Sequence, residues 1–157
     1  MSKTDTQADN YLMKRAIFPG FFDPFTVGHY SIVQRGLHLF DEIIIAIGIN
    51  SQKEAFLPIE TRLQNIRKIV ENEPRIKVMP YEGLTVDFAK KTNAAFILRG
   101  IRSVADFEYE KIVADVNRAL SGIETITLFC ENKYSFVSSS MVRELLRAEK
   151  DASQYLP

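Results

Sequence analysis

The sequence predicts an α/β fold: a Rossmann-like, doubly wound, five-stranded parallel sheet in a single domain. Three observations carry that expectation. Short apolar runs alternate with stretches of helical periodicity along the chain. The run Ile43 to Ile49 is continuously apolar and rich in β-branched residues, the pattern of a parallel strand buried on both faces. The length of 157 residues suits one domain with a real core.

The elements follow in order. Arg15 to Phe18 reads as the first strand, stopped by the turn signal Pro19-Gly20. A helix runs from about Gly28 to Phe40, with Ile32, Val33, Leu37 and Phe40 on one face. Ile43 to Ile49 is the second strand. The next helix opens at Pro58, a favoured first-turn residue, and carries Leu63, Ile66 and Ile69 or Val70. Ile76 to Met79 is the third strand, Val86 to Lys91 a short helix, and Phe96 to Leu98 the fourth strand. A long helix spans about Val104 to Leu120 and stops at Gly122. Thr125 to Phe129 is the fifth strand, Ser138 to Arg147 a further helix, and a last turn lies near Asp151 to Tyr155. Residues 1–12 read as a flexible polar arm, and 13–157 as the domain.

Composition narrows the function. The 20 Lys and Arg balance the 20 Asp and Glu, so no overall charge draws the chain to nucleic acid or to an anionic membrane. The N-terminus lacks the apolar core of a signal peptide, and no run approaches the ~18 apolar residues of a membrane span. One cysteine, Cys130, excludes an intramolecular disulfide. The expectation is a cytoplasmic protein in a reducing compartment, with Cys130 a packed strand-end residue rather than a nucleophile.

In a doubly wound sheet, ligands bind beyond the carboxyl ends of the strands, so chemistry is sought in the residues that follow each strand. After strand one comes Pro19-Gly20-Phe21-Phe22-Asp23-Pro24-Phe25-Thr26-Val27-Gly28-His29. Neither GxGxxG nor GxxxxGK[ST] occurs there. Instead a loop leads to Gly28-His29 at a helix start, where free N–H groups and the helix dipole favour an anion. Alone, Gly-His only begins a helix. With the preceding string, it reads as a phosphate site.

After strand two, Lys53 is either a solvated charge or a cation that meets a phosphate. After strand four, Arg99 and Arg102 flank Gly100 and Ile101. Guanidinium forks there suit phosphate, although salt bridges to Asp106 and Glu110 are the plain alternative. After strand five, Ser138, Ser139 and Ser140 either cap a helix or offer hydroxyls to phosphate, and one loop can do both.

Together, PGxFDPxTxGH, the lysine loop, RGxRxxxDFEYE and YSFxSSSxVRE resemble the HxGH nucleotidyltransferases, with Thr26 in the first position. Within them they are similar, in order and spacing from about Lys14 to Pro157, to the phosphopantetheine adenylyltransferase family. The resemblance implies transfer of the adenylyl group of ATP to 4′-phosphopantetheine. The products would be dephospho-coenzyme A and pyrophosphate, at the penultimate step of coenzyme A synthesis. It implies His29, Lys53 and Arg102 as catalytic residues. It implies ATP contacts at Phe21, Phe22, His29, Gly100, Ile101, Arg102, Glu110 and the stretch Tyr134, Ser135, Phe136, Val137, Ser138, Ser139 and Ser140. Phosphopantetheine contacts are implied at Phe21, Lys53, Thr85 and Arg99. Mg²⁺ with the nucleotide and a homohexamer are further implications, with no protein metal ligand assigned. The alternatives are another small HxGH transferase, or a nucleotide- or coenzyme A-binding module without catalysis.

The chain departs from this pattern twice. Phe21 stands where the family carries Ser or Thr, and a phenyl ring cannot donate to a phosphate. The expectation is an active but impaired enzyme, because the backbone N–H of residue 21 survives the change. Ser138-Ser139-Ser140 is a variant of ISSTxxR that keeps the hydroxyl.

Overall fold

Alternation along the central strands sets the architecture. Ala16 and Phe18 of strand β1 (Arg15–Gly20) enter one apolar cluster, while Ile17 between them enters another. Strand β2 (Glu42–Gly48) repeats this, with Ile43, Ile45 and Ile47 in the first cluster and Ile44 and Ala46 in the second. A sheet buried on both faces needs cover on both. Helices α1 (Val27–Gly36) and α2 (Ile59–Ile69) supply Ile32, Val33 and Ile66 to the first cluster. Helix α3 (Thr85–Lys91) supplies Val86, Phe88 and Ala89 to the second. The structure, a computed structural model, describes residues 12–157. Apart from Leu12, the arm expected over residues 1–12 lies outside the described residues.

The remaining elements are β3 (Ile76–Tyr81), β4 (Phe96–Ile101), α4 (Val104–Ser121), β5 (Glu124–Phe129) and α5 (Ser139–Arg147), with short 3₁₀ turns at Asn132–Tyr134 and Ser153–Tyr155. The five strands are parallel in the order β3-β2-β1-β4-β5. Strand order reverses between β1 and β4, so the expected ligand crevice lies beyond their carboxyl ends.

Several boundaries differ from the sequence reading. Strand β1 continues through Pro19 and Gly20, which pair with Ala46 and Ile47 of β2. Pro19 can sit in a central strand because its missing N–H is not needed on the β4 side. There the pairing covers only Ala16 with Phe96 and Ile17 with Ile97. The Pro19 carbonyl instead accepts a hydrogen bond from the Arg99 guanidinium. The two strands thus part before their ends, and the gap is bridged by a side chain. Strand β4 likewise runs to Ile101, so Arg99, Gly100 and Ile101 are strand rather than loop. Strand β3 reaches Tyr81 through Pro80, which an edge strand tolerates. Helix α1 ends at Gly36, four residues short of Phe40, yet Phe40 still packs into the core from the turn that follows. At the end of α4, Gly122 adopts φ 74°, a left-handed cap conformation that glycine takes without strain.

Candidate active site

Helix α1 begins with a reciprocal cap. Thr26 is the N-cap, and its hydroxyl accepts from the amide of His29 at 3.5 Å. In return the Thr26 amide donates to His29 Nδ1 at 3.0 Å. The pattern is a capping box in which His takes the place of the usual Glu or Gln. The imidazole stacks on Phe25, with ring centroids 5.4 Å apart, and meets the edge of Phe22 at 5.1 Å. Burial among these rings, reinforced by the charges of Arg102 and Arg99, lowers the His29 pKa to about 3. The ring is therefore neutral at pH 7, with Nδ1 committed as an acceptor. Its part-exposed edge lines a cavity of about 450 Å³.

Beyond β4 the two arginines are held differently. Arg99 donates through Nε and Nη2 to the Glu110 carboxylate at 2.8 and 2.5 Å, a bidentate pair in which Glu110 is buried. Arg102 bonds Asp106 at 3.1 Å and the Val137 carbonyl at 3.1 Å. Both salt bridges of the plain alternative therefore exist, and both guanidinium groups still line the cavity that holds His29.

The loop after β1 turns sharply. Phe22 takes φ 51°, and its ring lies over Gly20, where an added Cβ would come within 2.6 Å of Phe22 Cζ. Only glycine at position 20 permits that approach. Asp23 is buried and accepts from the amides of Phe56 and Leu57 at 2.6 and 2.8 Å. Arg62, also buried, donates to the carbonyls of Leu57 and Phe21 at 3.0 and 2.7 Å. These bonds fasten the segment after β2 to the loop after β1.

A second cavity, of about 600 Å³, adjoins the first. It is lined by Tyr81, Thr85, Tyr109, Val113, Ala114, Asn117 and Thr125, and the Thr85 hydroxyl pairs with the Tyr81 hydroxyl at 3.0 Å. Phe21, Lys53, Arg99 and Glu110 line both cavities, so they form the junction.

Most of the expected residues meet here. Phe21, Phe22, His29, Lys53, Arg99, Gly100, Arg102, Glu110 and Val137 to Ser140 line the first cavity, and Thr85 lines the second. Ile101 is buried and outside both linings. Tyr134, Ser135 and Phe136 also stand outside them, and Phe136 packs edge-on against Tyr155 with centroids 5.8 Å apart. The serines both cap and line: Ser138 caps α5 by accepting from the Met141 amide at 3.0 Å, and Ser139 donates to the Pro24 carbonyl at 2.8 Å. Cys130 lines the first cavity, but burial raises its pKa, which keeps the thiol protonated.

Sequence reasoning missed Arg143, which lines the first cavity and donates to the Asp23 carbonyl at 2.8 Å. It also missed Asn117 and Tyr109 on α4. Arg143 and Tyr109 stand inside YSFxSSSxVRE and RGxRxxxDFEYE, and Asn117 inside none of the strings. Nothing in the local pattern says that these side chains face the cavities, because they reach them through tertiary packing.

A neutral imidazole, guanidinium groups and a lysine around one crevice make a site for charged phosphates, on a fold that places it at the strand reversal. Fold and site together define an α/β nucleotidyltransferase, and the cytidylyltransferase-like family model matches residues 17–145. A bifunctional NMN adenylyltransferase/ADP ribose pyrophosphatase from Francisella tularensis shares the fold, with a TM-score of 0.72 at 15% identity. That match covers 92% of this chain and 45% of that one. A phosphopantetheine adenylyltransferase of Bacteroides fragilis is 59% identical over 145 residues, covering 92% of this chain and 97% of that protein. One from Flavobacterium johnsoniae is 50% identical, covering 92% of this chain and 95% of that protein. The chain belongs to the phosphopantetheine adenylyltransferase family.

Proposed function

We propose that this enzyme transfers the adenylyl group of ATP to 4′-phosphopantetheine, giving dephospho-coenzyme A and pyrophosphate, the penultimate step of coenzyme A synthesis. The observation that carries the reading is the pair of adjoining cavities with a cationic junction between them. A transfer between two phosphates needs two pockets that meet where the phosphates react. The cavity with His29, Arg102 and the serines suits the nucleotide. The other, with Asn117, Thr85 and apolar walls, suits a long amide-bearing arm.

In this mechanism a phosphate oxygen of phosphopantetheine attacks the α-phosphorus of ATP. A new P–O bond forms, the bond to the β-phosphate oxygen breaks, and pyrophosphate leaves. The nucleophile is already an anion, so no general base is required. His29 Nε2–H donates to a phosphate oxygen as charge shifts, and Arg102 and Lys53 offset the rest. Arg99, braced by Glu110, orients the acceptor phosphate.

Among the described residues there is no cluster of three His, Cys, Asp or Glu able to hold a metal ion. Mg²⁺ would come with ATP and would offset charge on the triphosphate, beside Arg102 and Lys53. We also place the enzyme in the cytoplasm. Among the described residues no helix is long and apolar enough to cross a membrane. Assembly into a homohexamer belongs to the same proposal. Tyr109, Ile112, Val116 and Leu120, at helical spacing on α4, are all at least half exposed in the isolated chain, and that stripe favours burial against further copies.

The test is pyrophosphate release with ATP plus 4′-phosphopantetheine, against ATP plus nicotinamide mononucleotide and CTP plus glycerol 3-phosphate. Release only with the first pair is expected. Release with another pair would reassign the substrate, and nucleotide binding without release would overturn catalysis.

A further inference from the structure

We propose that Phe21 is a positioning residue for Lys53: its ring holds the lysine ammonium over the junction of the two cavities through a cation–π contact. Lys53 Nζ lies 4.2 Å from the centroid of the Phe21 ring. Among the described residues no carboxylate lies within ion-pair distance of this ammonium. The Lys53 backbone is anchored in a turn by its amide, which donates to the Asn50 carbonyl at 3.1 Å. Its side chain, four methylenes long, would otherwise sample many rotamers.

The ring is itself braced. The Arg62 guanidinium carbon lies 4.3 Å from the same centroid. Arg62 is 4% exposed, and its bonds to Leu57 and Phe21 fix the guanidinium in place. Asp23 secures Leu57 in turn. A line of fixed contacts thus runs from the buried Asp23 through Arg62 to the Phe21 ring, and ends on Lys53, among the described residues the one exposed cation at the junction. An aromatic face attracts an ammonium without giving it a competing anion. It therefore leaves the positive charge available to an arriving phosphate, which a carboxylate partner would neutralise. An aliphatic side chain of similar volume would fill the space and lose this attraction.

This inference rests on the proposed reaction, and two readouts separate the two. In the free protein, the Lys53 ε-methylene protons should show an upfield ring-current shift in NMR spectra. Phe21→Leu should abolish that shift, and Phe21→Tyr should keep it. In steady-state assays, Phe21→Leu should raise KM for 4′-phosphopantetheine by roughly two- to five-fold, the fold-change of one exposed cation–π contact. KM for ATP should change less, and Phe21→Tyr should lose less than Phe21→Leu. In a Lys53→Met background, Phe21→Leu should have no further effect on KM, since the cation it positions is gone. An unshifted Lys53 methylene in the parent, or full additivity of the two substitutions, would overturn the proposal. A parent that releases no pyrophosphate would overturn the reaction instead, while the NMR comparison would still decide the contact.

Discussion

The amide of Thr26 donates to Nδ1 of His29 at 3.0 Å, and the Thr26 hydroxyl lies 3.1 Å from the same nitrogen. An amide can only donate, so Nδ1 must accept. The neutral ring then carries its proton on Nε2, the nitrogen left for the cavity. A helix cap, usually a device for stability, here fixes the tautomer and direction of a functional side chain.

His29→Ala should therefore lower kcat by about 10² to 10³, the usual loss for one donor aimed at developing charge. ATP affinity should change little, because the contact strengthens only as the phosphorus is attacked. Single-turnover kinetics beside calorimetric ATP binding separates the two effects. Near-parental turnover would remove His29 from the chemistry.

The same burial gives a pH signature in stability. The His29 pKa falls from 6.5 unfolded to about 3 folded, so between these values the unfolded chain holds the extra proton. Stability rises with pH wherever the unfolded state binds more protons. The His29 contribution is therefore full above pH 6.5 and declines as pH falls toward 3. Urea melts from pH 8 to pH 4 should lose stability below about 6.5, the ordinary His value, and His29→Gln should reduce that slope.

How far this was legible depends on the range of the forces involved. The sheet could be read because parallel burial writes itself as runs such as Ile43 to Ile47, and α4 because Gly122 marks its stop. The run of β1 through Pro19 could not be read. Whether a proline interrupts a strand depends on which neighbour its nitrogen faces, and that neighbour, β4, is distant in sequence. Motif order pointed to His29, Arg99 and Arg102, and the fold brings all three to one cavity. The Thr26 cap was present as a threonine three residues before His29, but only the structure gives the ring nitrogen its partner. The contact of Phe21 with Lys53 and Arg62 joins three separate loops and helices, so no local pattern announces it.

Assembly can be tested on the exposed stripe of α4. Ile112 and Val116 are 66% and 51% exposed and lie one turn apart. The parent should sediment as a hexamer at micromolar concentration. Ile112→Glu with Val116→Glu should shift it toward smaller species, because charges at the centre of an apolar contact lose solvation without gaining partners. A monomeric parent would refute the assembly.

The arginines should separate by substrate. Arg102 lines only the cavity with His29, so Arg102→Ala should raise KM for ATP and leave KM for 4′-phosphopantetheine nearly unchanged. Arg99 lines both cavities, and Glu110 and the Pro19 carbonyl take three of its five N–H donors, which fixes the guanidinium and leaves two for a phosphate. Glu110→Gln removes the charge that holds this fork, so Arg99 should lose its fixed direction and KM for 4′-phosphopantetheine should rise. Stability should fall by about 1.5 kcal/mol, the low end for a hydrogen bond to a charged group, because Arg99 is partly exposed and water screens the pair. Arg99→Lys should not restore the parent, since an ammonium cannot present two parallel donors to Glu110 and a third to Pro19. Steady-state kinetics with each substrate varied in turn, beside urea melts of the same variants, checks all of this. A rise in KM for ATP alone in Glu110→Gln would mean that Glu110 serves the nucleotide directly rather than through Arg99.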